Sequence, residues 1–68
     1  MVEVFKTDIS IKEDAERVVH YLHHYFPLRA NVDLHDCDKI LRVEAAAVPV
    51  QDIRELVSNL GFFCELLE

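Results

Sequence analysis

A chain of 68 residues, 51% of them hydrophobic and with one glycine and two prolines, is expected to form a single domain over residues 1–68 with no linker or disordered tail. Seven basic residues against thirteen acidic ones, a net charge of −6, lack the clustered Lys and Arg that phosphate backbones demand, so neither nucleic acid nor an anionic membrane surface is expected as a partner. No apolar run approaches the ~20 residues of a membrane span, and the start MVEVFKTD lacks the basic and apolar regions of a signal peptide, so the expectation is a small soluble cytoplasmic protein.

Val2 to Thr7 is rich in β-formers and reads as the first strand. Val2 and Val4 fall on one face and Phe5 on the other. Ser10 is a good N-cap, and Glu13 three residues later completes a capping box. A helix follows to about Tyr25, its apolar stripe made by Ala15, Val18, Val19, Leu22 and Phe26. Pro27 stops it. Ala30, Val32 and Leu34 alternate with Asn31, Asp33 and His35 as a half-buried second strand, and HDCDK is a polar turn. Leu41, Val43 and Ala45 alternate with Arg42 and Glu44 as the third. Pro49 suits the first turn of a second helix, whose stripe is Val50, Ile53, Val57 and Leu60. Gly61 suits the position just past its end. Phe62 to Leu67 is the fourth strand.

The order β-α-β-β-α-β is that of an α+β, ferredoxin-like sandwich. Right-handed crossovers give a four-stranded antiparallel sheet in spatial order 4-1-3-2, with both helices on one face. The other face is expected to be open, presenting Ile40, Arg42 and Glu44 with Val2 and Val4.

Nearly the whole chain then resembles the heavy-metal-associated (HMA) domain, the family of copper chaperones and of the N-terminal modules of metal-pumping ATPases. The resemblance rests on the order and spacing of VEVFKT, the capped first helix ending in FP, VDL, ILRVE and LVSNLGFFCEL. It implies the fold above and a metal loop between the first strand and helix. In that loop the family's ligating Met aligns with Ile9, and its two Cys align with Ile11 and Asp14. Soft thiolates select Cu(I) and Zn, and isoleucine has no lone pair to offer. The family's Cys-x-x-Cys metal site is therefore absent, and no cofactor is expected. Phe62, at the position that shields the metal in the family, is expected to pack over Ile9 and Ile11 as an apolar plug.

Other ligands remain in view. The topology brings the turn His35-Asp36-Cys37-Asp38 to the same end as Asp8 and Asp14, and cysteine, histidine and carboxylate all bind Zn. A displaced site of His35, Cys37 and one of these carboxylates, such as Asp14, is thus conceivable beside the plainer reading, a turn in which Asp36 and Asp38 bond the local backbone. On the first helix His20 and His24 are i,i+4 neighbours, with Glu16 a turn earlier. The plain reading is a solvated face with histidines favoured by the helix dipole. Cys64 reads as a small core hydrophobe. Cys37 and Cys64 should not pair, because at least two strand spacings of ~4.8 Å separate them and a disulfide spans no more than ~7 Å between Cα atoms.

No Ser/His/Asp spacing, phosphate loop or HExxH is present, and an enzyme is not expected. The leading reading is a non-enzymatic HMA-like domain of uncharacterised role with a degenerate metal motif, acting by contact with a protein partner or a second copy. Its contact surface is either the open sheet face or the loop residues Ile9, Ile11 and Phe62. The alternative is a Cu or Zn carrier using displaced ligands such as Cys37 and His35.

Overall fold

The computed structural model describes residues 1–67. It sets six elements in the expected order: β1 (Val2–Thr7), α1 (Lys12–Tyr25), β2 (Arg29–Asp33), β3 (Ile40–Glu44), α2 (Val50–Asn59) and β4 (Cys64–Leu66). The strands form one antiparallel sheet in the order β2-β3-β1-β4, the ferredoxin-like order 4-1-3-2 read from its other edge. No described helix is long and apolar enough to cross a membrane.

The alternation of side chains decides which face is buried. Phe5, Leu41 and Val43 are fully buried beneath Val18 and Leu22 of α1 and Ile53 and Val57 of α2. Period-2 strands and period-3.6 helices converge on this single cluster. Val2 lies opposite Glu44, and Val4 opposite Arg42, on the other face. There Arg42 and Glu44 are exposed and Ile40 is half-buried. Leu67, next to Val4 through its N–H bond to the Val4 carbonyl at 2.9 Å, adds a further exposed apolar side chain.

Helix α2 ends as its sequence asks. Gly61 takes φ 99°, a left-handed conformation open to glycine without a Cβ penalty. The Gly61 N–H donates to Ser58 O at 2.9 Å and the Phe62 N–H to Val57 O at 3.2 Å, the pair of bonds of a Schellman motif.

Three expectations need correction. Helix α1 has no capping box: its N-cap is Ile11, with no side-chain cap bond, and Ser10 is exposed outside the helix. Burial of Ile9 in the core fixes where the chain turns into the helix, one residue later than the capping signal suggests. Strands β2 and β3 each begin and end about one residue earlier than the alternation implied, because the ladder pairs Asp33 with Ile40 and ends there. Strand β4 is shorter than Phe62–Leu67. The N–H groups of Phe62 and Phe63 go to Val57 O and to the Asp8 carboxylate instead of the ladder.

Candidate functional site

Three loops meet at one end of the sheet: β1–α1, β2–β3 and α2–β4. Two side chains at the end of β1 tie them together. Thr7, almost fully buried, donates its hydroxyl to the Lys39 carbonyl and accepts the Ile9 N–H at 3.2 Å. Its own N–H donates to Asp38 O at 3.1 Å. Asp8 accepts the Phe63 N–H at 2.8 Å. A hydroxyl and a carboxylate thus satisfy backbone groups that leave the ladder at the sheet end; of these the Ile9 N–H is buried, and leaving it unpaired would cost about 1–3 kcal/mol. The sequence pointed to Asp8 only as a carboxylate near the Cys37 turn and did not single out Thr7, because a Thr-Asp at a strand end is ordinary until its tertiary partners are known.

Within this frame the positions aligned with the family's ligands separate. Ile9 is 0% exposed and belongs to the core. Ile11 is 51% exposed, in the extended conformation of an N-cap, φ −121° and ψ 151°. Asp14 is half-buried in the first turn of α1. Phe62 is half-buried against the core, with the Arg17 guanidinium 5.7 Å from its ring centroid. Arg17 also reaches Leu60 O at 3.4 Å. The expected plug is therefore incomplete: Ile9 and Phe62 pack inward, and Ile11 faces solvent. The helix start buries one of the two isoleucines and leaves the other exposed at the N-cap. Phe63, 48% exposed, is a second exposed apolar side chain at this end.

The β2–β3 turn is built by its own polar groups. The His35 N–H donates to Asp33 Oδ1 at 3.0 Å, and the Asp38 N–H to Asp36 Oδ1 at 2.8 Å, so both aspartates make the local turns that favour this residue type. Asp38 does not bond the local backbone through its carboxylate, as the sequence suggested; it lies 3.7 Å from Lys6 Nζ. Lys39 adopts φ 47° and donates Nζ to Leu34 O at 2.8 Å. Among the described residues, the group of three metal-ligating side chains that comes within 4.8 Å is Asp36, Cys37 and Asp38. His35 and Asp14, named with Cys37 from the sequence, are not in that group.

The two cysteines are free. Cys37 is exposed, and Cys64 is half-buried against the core. Burial pushes the Cys64 thiol up to about 11, with nearby Arg54 opposing the shift, so it is a protonated, weakly nucleophilic group at neutral pH. On α1, His20 and His24 are exposed. Each stacks edge-on against a neighbouring tyrosine, His20 on Tyr21 at 5.8 Å and His24 on Tyr25 at 4.7 Å. Tyr21 and Tyr25 stack on each other at 6.5 Å. Glu16 pairs with Lys12 at 3.9 Å; Glu16, His20 and His24 do not gather as a three-ligand group.

The architecture has a solved counterpart. The chain superimposes on the solution structure of the yeast copper transporter domain Ccc2A, determined in apo and Cu(I)-loaded states. The TM-score is 0.84, with 16% identity over 98% of this chain and 94% of that one. The fold is HMA-like. At that identity the likeness establishes the fold and carries no ligand with it. No family model matches the sequence, and no curated protein does.

Proposed function

We propose that this chain is a non-enzymatic HMA-like domain that acts by protein contact in a reducing cytoplasm and does not ferry a thiolate-bound ion. The observation that carries the reading is the fate of the three ligand positions. One is a fully buried isoleucine, one an aliphatic N-cap, and one a carboxylate. None offers the soft sulfur that holds Cu(I). At this end Ile11 and Phe63 are exposed and Phe62 is half-buried, apolar side chains on loops that the Asp8 and Thr7 hydrogen bonds tie together. Ile9 is not among them, because it lies in the core.

A second reading has a specific observation in its favour. Asp36, Cys37 and Asp38 lie close enough to share one ion, a Cu or Zn site displaced from the loop to the hairpin. An ion there would compete with the Asp38 N–H for Asp36 and with Lys6 for Asp38.

Native mass spectrometry of the reduced protein, titrated with Cu(I) and with Zn(II), separates the two. Protein contact without carriage predicts no tight one-to-one complex with either ion. One bound ion that Cys37→Ser removes would establish the hairpin site and overturn the proposal. One that survives Cys37→Ser and is lost in His20→Gln/His24→Gln would move the site to α1, with the same consequence.

A further inference from the structure

Strand β2 lies at an edge of the sheet and reads Arg29-Ala30-Asn31-Val32-Asp33. Its charges, Arg29 and Asp33, are exposed and of opposite sign, and it has no proline, no lysine and no inward-pointing charge to blunt the edge. Its backbone phase follows from bonds further into the sheet. Met1 and Ala45 exchange N–H···O bonds, so the odd residues of β3 face β1 and the even ones face β2. The register then turns the N–H and C=O groups of Arg29, Asn31 and Asp33 toward Glu44, Arg42 and Ile40. Those of Ala30 and Val32 point out of the sheet.

We propose that this edge pairs antiparallel with β2 of a second copy about a two-fold axis at Asn31, giving a continuous eight-stranded dimer. The inference is independent of the reading of the metal loop. In that register Arg29 of each copy faces Asp33 of the other, Asn31 faces Asn31, and Ala30 and Val32 face each other, each such pair exchanging both its N–H···O bonds. The strand is charge-complementary to its own reverse. Among the described residues Arg29 has no acid within 4 Å, and Asp33 uses Oδ1 on His35 and keeps Oδ2 for a partner. Beside the edge, between β2 and α1, runs an open apolar groove lined by Ala15, Val19, Val32 and Leu34 and flanked by Lys12 and Glu16. A second copy would cover it and bring the two α1 helices side by side.

The opposite edge explains why pairing would stop at two chains. Strand β4 has three residues, Cys64-Glu65-Leu66, and pairing it with its own reverse sets Glu65 against Glu65. One edge is self-complementary and the other self-repelling, which favours a closed isologous dimer over a growing ribbon.

Charge reversal tests the register. Wild type, Arg29→Asp and Asp33→Arg are compared by size-exclusion chromatography with light scattering and by native mass spectrometry, with circular dichroism confirming the fold of each. Wild type should dimerise. Each single variant opposes like charges twice per dimer and should dimerise at least about tenfold more weakly. Mixing the two variants should give a one-to-one heterodimer, because an all-acidic edge then meets an all-basic one. In a Cys37→Ser background, Asn31→Cys should form a disulfide-linked dimer in air, since the residues at the axis form a close, non-hydrogen-bonded pair, and Ser58→Cys on α2 should not. A wild type that stays monomeric up to the hundred-micromolar range would overturn the proposal. So would a dimer indifferent to the charge reversals, a mixture that fails to pair, or cross-linking no faster through residue 31 than through residue 58. If a charge variant fails to fold, the cross-linking comparison decides alone.

Discussion

Replacing Ile11 by Asp distinguishes an exposed N-cap from an apolar plug. The backbone there already has N-cap angles, so the substitution needs no rearrangement. The new carboxylate would accept the free N–H of Glu13 or Asp14, where a good cap outperforms alanine by about 1 kcal/mol. Against this stand like charges in the first turn, Glu13 and Asp14, worth a few tenths of a kcal/mol, and the loss of the half of Ile11 that is covered, about 1 kcal/mol. The comparison that cancels the packing loss is with Ile11→Ala. Urea unfolding should place Ile11→Asp about 0.5–1 kcal/mol above Ile11→Ala, a midpoint shift of about 0.5–1 M at an m-value near 1 kcal/mol/M for so small a chain. A carboxylate bonded to helix N–H groups has a depressed folded pKa. Its advantage is therefore complete above the unfolded pKa of about 3.9 and vanishes as pH falls through the folded one. Ile11→Asp falling below Ile11→Ala at pH 7 would refute the cap and restore the plug.

Ile9→Ala should instead cost about 2–5 kcal/mol, the range for emptying a packed aliphatic site, which unfolding in the same urea series would read directly. Asp8→Ala removes the acceptor of the exposed Phe63 N–H and should cost no more than about 0.5–1.5 kcal/mol, since water can replace the carboxylate; amide exchange at Phe63 should quicken more than exchange at core positions such as Leu41. Thiol alkylation at pH 8 should proceed quickly at exposed Cys37 and slowly at Cys64, whose pKa is about 11, with equal rates only in denaturant. Because that folded pKa is raised, the Cys64 contribution to stability is complete below the unfolded pKa near 9 and is lost as pH climbs toward 11. Gly61→Ala meets no atom within 4 Å but must hold φ +99°. It should cost about 1–2 kcal/mol of backbone strain, measurable as a lower melting temperature with unchanged contacts.

What the sequence by itself determined is whatever depends on local periodicity. Alternation in Leu41-Arg42-Val43 and the stripe Val18, Leu22 and Ile53, Val57 state which faces are apolar, and six such faces in this order have few ways to bury one another. Gly61 and Pro27 announced the helix ends because their backbone constraints are intrinsic. Tertiary structure alone decided the loop end. Ser10 and Glu13 carry the local signature of a cap, yet burying Ile9 contributes more than a side-chain cap, and the helix starts at Lys12. Whether Ile11 lies inside or outside, whether Asp8 meets Phe63, and which carboxylates approach Cys37 all turn on where three sequence-distant loops converge. The open edge of β2 shows both levels at once: its charge pattern is written in five residues, and only the sheet order leaves those residues without a neighbour on their outer side.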